Sequence, residues 1–129
     1  DEEYFKLYLS DVGLLTSLLE IQYNDILLDN SFLYKGNIAE NYVATQLVRN
    51  GLSLYYWKSN SDAEIDFILY NEDGLIPIEV KASDNITSKS LNSYMKQYNP
   101  KYAIRISSKN FGFENNIKSV PLYATFLIK

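Results

Sequence analysis

Hydrophobic and polar positions along this chain follow two periods, and the switch between them marks out its elements. Residues 4–9, Tyr-Phe-Lys-Leu-Tyr-Leu, predict a short strand rich in aromatics. Asp11 is placed to cap an apolar stretch over 12–21, where Leu14, Leu15, Leu18 and Leu19 fall on one helical face. Residues 22–34 carry no readable period. From 37 to 50 the spacing is helical, and Asn50-Gly51 supplies the stop. Strands are predicted at 52–57, 63–70 and 75–82, with hairpin-turn residues Asn71-Glu72-Asp73-Gly74 between the last two. A second helix over 87–98 places Leu91, Tyr94, Met95 and Tyr98 at i, i+3, i+4 and i+7, and Pro100 ends it. Residues 101–107 and 120–128 read as strands, with Asn110-Phe111-Gly112-Phe113 as a turn between them. From residue 35 the order is α-β-β-β-α-β plus a closing strand. That is an α/β domain with a mixed sheet flanked by helices.

With 129 residues, 47% of them apolar, the chain can build the core of one ordinary domain. The division expected is an extension over 1–34 followed by a domain over 35–129. No apolar run approaches the roughly 18–20 residues of a membrane span, and no signal-peptide pattern opens the chain, which points to a cytoplasmic protein with no membrane partner. The absence of Cys and His removes thiolate nucleophiles, Ser-His pairs, disulfides and the usual zinc sites. Catalysis would have to rest on carboxylates, lysine, tyrosine or an oxygen-bound metal. The glycines, at 13, 36, 51, 74 and 112, fit neither phosphate-binding glycine loop. The chain opens Asp-Glu-Glu without an initiating methionine and reads as a fragment of a longer parent. The net charge of −4 is uneven, since 82–129 holds seven bases against Asp84 and Glu114, a local +5. Such a tail suits a polyanion or is an ordinary solvated surface.

Three short strings carry candidate chemistry. Glu40 lies on the helix beside Val43, Ala44 and Leu47, where an unpaired carboxylate is costly; a salt bridge, hydrogen bonds, a metal or a reach to solvent must compensate it. In Glu64-Ile65-Asp66-Phe67-Ile68, strict alternation puts Glu64, Asp66 and Ile68 on one face and Ile65, Phe67 and Leu69 on the other. An aspartate inside a strand breaks local propensity, and such breaks mark functional or strained positions. In Ile78-Glu79-Val80-Lys81, Glu79 and Lys81 share a face; Pro77 also allows an edge strand with a simple charge pair. The hairpin can set Asp66 beside Glu79, a poor structural choice but a good site for Mg²⁺, which takes oxygen ligands and keeps several waters. Trp57-Lys58-Ser59 could stack on a base, but a tryptophan at the core edge explains it more simply, and the tyrosines read as core and boundary residues.

Glu40, Asp66 and Glu79-Val80-Lys81 on an α-β-β-β-α-β frame resemble the PD-(D/E)XK nuclease superfamily, the restriction-endonuclease-like fold. The strings FKLYLSDVGLL, KGNIAENYVATQLVRNG, EIDFIL, PIEVKAS and YNPKYAIRIS are similar to the nuclease-like domain of unknown function that ends many bacterial and archaeal AAA-type ATPases. Ile65 stands where the superfamily pattern has a proline. The resemblance implies that Asp66 and Glu79 are ligands of Mg²⁺ or Mn²⁺, with the Val80 carbonyl a third ligand and Glu40 touching a water or a second ion. Lys81 would orient the attacking water and stabilise phosphate charge, consistent with a lysine that is charged at neutral pH. DNA and the parent ATPase module are the partners implied, and ATP would bind only that module. A catalytically idle nuclease fold serving as a nucleic-acid or protein interaction module, and a structural cap on the ATPase, are the rival readings. No oligomeric state is specified by the pattern.

Overall fold

The computed structural model describes residues 4–27, 34–83 and 88–129. Asp1, Glu2, Glu3, Asp29 and Asp84, and the expected helix start at Thr87, lie outside the described residues. The N-terminal helices are α1 (Val12–Leu18) and α2 (Tyr23–Leu27). Asp11 caps α1 by accepting the Leu14 N–H at 2.9 Å, although the helix stops earlier than expected. Helix α3 (Lys35–Arg49) leads through Asn50 and Gly51, whose φ of +80° suits glycine, into β1 (Tyr55–Lys58), β2 (Glu64–Asn71) and β3 (Gly74–Val80). Helix α4 (Lys89–Tyr98) precedes β4 (Ala103–Ser107), β5 (Gly112–Glu114) and β6 (Ile117–Pro121). The expected α-β-β-β-α-β order is present.

The six strands form one mixed sheet, ordered β1-β2-β3-β4-β6-β5. Neighbours from β1 to β3 are antiparallel, β3 and β4 are parallel, and α4 makes the crossover that a parallel pair needs. Each sheet face has its own core. Val43, Ala44 and Leu47 of α3 pack on Phe67, Leu69, Ile76 and Ile78. On the opposite face Leu91 and Tyr94 of α4 cover Ile65, Ile68 and Ala103. Trp57 sits at the edge of this second core, its ring edge-on to Tyr94 and its Nε1 donating to the Tyr98 hydroxyl at 3.2 Å.

Three expectations need correction. Residues 4–9 pair with no strand among the described residues; instead the Leu9 N–H donates to Asn41 Oδ1 on α3 and the Leu9 C=O accepts from Asn41 Nδ2, both at 2.8 Å. A carboxamide offers the same donor and acceptor as a peptide group, so it can satisfy this backbone without a sheet. The expected strand over 120–128 survives only to Pro121, which cannot donate to a ladder, and Leu122–Leu127 form a 3₁₀ turn. Finally, Gly112 and Phe113 belong to β5 rather than to a turn. The turn lies at Asn115-Asn116, both at positive φ, the two-residue hairpin conformation that asparagine tolerates.

Candidate functional site

The site begins with an irregularity in β2. Trp57 of β1 pairs with Ile65 and Tyr55 with Ile68, so Tyr56 alone faces both Asp66 and Phe67. One extra residue on β2 makes a β-bulge, a device that re-aims side chains. Its effect is visible in the cores: Ile65 and Ile68 both face α4, while Phe67 and Leu69 face α3. The strict alternation expected for 64–69 is therefore wrong. Asp66 is turned toward α3, the side on which Glu40 lies.

At the same point the β2–β3 ladder stops. Backbone pairing runs from Asn71 opposite Gly74 to Phe67 opposite Ile78. The next inward-facing donor, the Val80 N–H, goes to the Asp66 side chain, Oδ2, at 2.8 Å. Glu79 is buried, with Oε1 3.5 Å from the Lys81 ammonium and Oε2 without a hydrogen-bond partner among the described residues. Glu79 and Lys81 project together as expected, on the face away from Ile78 and Val80, which pack in the α3-side core.

Compensation for Glu40 comes from the N-terminal segment. The Lys6 ammonium lies 3.0 Å from Glu40 Oε1, pairs with Glu64, and stands 4.0 Å from Asp66 Oδ1. The Tyr8 hydroxyl donates to the same Glu40 oxygen at 2.6 Å, and its ring packs on Phe67. Burial alone would lower the Lys6 pKa, but hydrogen bonds to Glu64 and Glu40 outweigh it and raise the pKa overall. Burial, then the Glu40 carboxylate, raises the Tyr8 pKa. Burial also pushes Asp66 up to about 6; the Glu40 and Glu79 charges add to this, while the Val80 N–H and Lys6 oppose it. Beside these groups opens a cleft of about 760 Å³ lined by residues 4–6, Tyr8, 54–60, Asp66 and Phe67.

The structure thus joins Glu40 to Asp66 through Lys6 on the α3 side of the sheet, and Glu79 to Lys81 on the other face, so the hairpin does not set Asp66 and Glu79 on one face as expected; the bulge turns Asp66 away. Lys6, Tyr8 and Glu64 were not singled out as site residues in the sequence. Their trace there is the alternation of Lys6 and Tyr8 with Phe5 and Leu7. Among the described residues, no group of three carboxylates is arranged to hold a metal ion. The oxygen donors nevertheless suit a hard cation. Among the described residues Glu79 Oε2 is a buried acceptor without a hydrogen-bond partner, and Asp66 Oδ1 stands 4.0 Å from the Lys6 ammonium. The basic tail is less free than its charge implies: Lys101 pairs with Asp73, Lys118 sits over the Tyr102 ring, and Arg105 Nε donates to the buried Ser88 hydroxyl.

Sheet and site together define an α/β domain whose carboxylates gather where a central hairpin opens. The chain belongs to the family described as "Domain of unknown function (DUF4143)", whose model matches residues 35–125. The match contains Glu40, Asp66, Glu79 and Lys81 but not Lys6 or Tyr8. No curated protein and no solved structure matches the chain.

Proposed function

We propose that this domain is a metal-dependent nuclease domain hydrolysing DNA phosphodiester bonds, built on a restriction-endonuclease-like core. The supporting observation is the opened end of the β2–β3 hairpin. There Asp66 leaves its strand face, Glu79 keeps a buried oxygen without a partner among the described residues, and Lys81 lies 3.5 Å from Glu79. Asp66, Glu79 and the Val80 carbonyl would hold Mg²⁺ or Mn²⁺, and Glu40 would meet a water at its edge. Bound there, the ion supplies Lewis acidity to the phosphoryl group and a more acidic attacking water. Lys81 orients that water and offsets charge on the phosphoryl oxygens, while Glu79 keeps its ammonium in place. The setting belongs to the proposal as well: a C-terminal position in an AAA-type ATP-binding protein, with ATP bound by that other module.

The test is cleavage of plasmid and single-stranded DNA with Mg²⁺ or Mn²⁺, alongside melts with and without metal. Wild type is expected to cleave and to melt higher with metal. Lys81→Ala keeps the ligands, so it should retain the metal-induced rise in Tm and lose cleavage by about a hundredfold or more. DNA affinity should fall with salt, and replacing the exposed Lys89 and Lys96 of α4 should weaken it for all sequences alike. No cleavage and no metal shift in wild type would leave the idle-module reading. The ammonium already placed among three carboxylates is the observation that favours that reading.

A further inference from the structure

We infer that Arg105 binds a backbone phosphate of the substrate, and that DNA approaches over the α4 side of the sheet rather than through the cleft beside Lys6. The substrate class rests on the reading above; the placement of Arg105 does not. The parallel strands β3 and β4 set Glu79 opposite Arg105, and the Lys81 N–H reaches the Ile106 carbonyl at 2.8 Å. Ile104 and Ile106 pack in the α3-side core and Ala103 in the α4-side core, so alternation puts Arg105 on the α4 side. Glu79 and Lys81 project to that side too. Helix α4 runs back from the end of β3 to the start of β4, so its first residues lie by the carboxyl ends of both strands. A 2.8 Å bond from Arg105 Nε to Ser88, the residue before α4, holds the guanidinium there. This is the end at which the β2–β3 hairpin opens, and ligands of open α/β sheets gather outside such strand ends.

The contact that holds Arg105 leaves most of its donors uncommitted. The buried Ser88 hydroxyl takes one of five guanidinium N–H groups. Among the described residues Arg105 has no other hydrogen bond and no ion pair. An arginine serving the fold alone has a carboxylate one strand away to pair with, yet Glu79 gives Oε1 to Lys81. The half-buried guanidinium therefore keeps both terminal nitrogens, the planar fork that grips two phosphate oxygens at once. Charge separates the two sides of the sheet. On the α4 side Lys81 and Arg105 outnumber Glu79, and the exposed Lys89 and Lys96 of α4 add to them. On the α3 side Lys6 stands against Glu40, Glu64 and Asp66. A polyanion is drawn to the first and repelled by the second. Lys81 supplies a point charge and Arg105 a fork that fixes the orientation of the backbone.

Arg49 and Arg105 are the only arginines, so a proton–nitrogen NMR spectrum of the intact chain holds two guanidinium Nε–H signals. In metal-free buffer the wild type is titrated separately with a short DNA duplex, a short single strand and inorganic phosphate. At least one of the two DNAs should shift the Arg105 signal and leave that of Arg49, exposed at the end of α3, in place. An Arg105 signal unmoved by both DNAs, equal movement of both signals, or movement with inorganic phosphate alone would overturn the inference. With Mg²⁺ present, Arg105→Lys keeps the charge but loses the fork. It should raise KM for plasmid about tenfold while its metal-induced rise in Tm matches wild type. An unchanged KM, with only a lower Tm, would make Arg105 structural. The NMR titration needs no variant and decides the matter even if Arg105→Lys folds poorly. A shifted Arg105 in a protein that cleaves no DNA would keep the phosphate contact and remove hydrolysis. Cleavage with an unmoved Arg105 would do the reverse.

Discussion

At its turn, the β2–β3 hairpin pairs residue by residue, from Asn71 opposite Gly74 through Leu69 opposite Ile76. Asn71 accepts the Asp73 N–H within the loop, and Asp73 pairs with the exposed Lys101. At the other end of the same two strands the ladder stops, an aspartate takes the Val80 N–H, and three carboxylates share Lys6. Both ends hold an acid against a lysine. At the turn the pair is solvated and the backbone is complete without it. At the open end the groups are half-buried, and the side chains do what the backbone does elsewhere. Regular pairing and candidate chemistry occupy opposite ends of one hairpin.

The largest expected effect separates the ends by function. Ile76→Ala, at a fully buried position near the turn, should cost about 2–5 kcal/mol in chemical denaturation. Any metal-induced Tm shift should be unchanged; its disappearance would mean the two ends are coupled and break the comparison. Next is the pH dependence of the open end in metal-free buffer. Folded Asp66 titrates near 6 against an ordinary 3.8, so it holds its proton more tightly folded than unfolded. Stability from this group is present at low pH and is lost as pH rises through about 4 to 6. Asp66→Asn keeps an oxygen for the Val80 N–H but does not titrate. Above that window it should exceed wild type by as much as about 3 kcal/mol, and its urea midpoints should be flatter across it. A strongly destabilised Asn variant would instead make Asp66 a structural carboxylate. A smaller effect belongs to the turn: Gly74 has φ of +99°, and Gly74→Ala should cost about 1–2 kcal/mol through backbone strain, since the added Cβ meets nothing. Smallest of all, Lys101→Ala should leave Tm unchanged within error, because its pair with Asp73 is solvent-screened.

The sequence was legible where structure is local. The helical period of α3 and α4, the strands β1 to β4 and the Asn71–Gly74 turn each carry their signal within a few residues. The charge of Glu40 beside an apolar stripe correctly demanded a partner, but that partner is 34 residues away, and no period links Lys6 to it. The bulge was hidden for another reason. Both faces of the sheet are covered, so Phe67, Ile68 and Leu69 are all buried and mask which parity each follows. The β5–β6 hairpin was missed because Asn115-Asn116 lacks the glycine that usually advertises such a turn.

The bulge also changes what kind of event could have produced the site. Strike Asp66 from β2 and the remaining Ile65, Phe67, Ile68 and Leu69 alternate regularly between the two cores. The acid therefore behaves as an inserted letter in an otherwise plain strand, not as a replaced one. A related chain without it would be one residue shorter there, its hairpin running on past Ile78 as ordinary sheet. In the history of such a fold, gaining or losing this carboxylate would be a change of length, and comparisons that forbid a gap at this position would misalign every residue of β2 on one side of it.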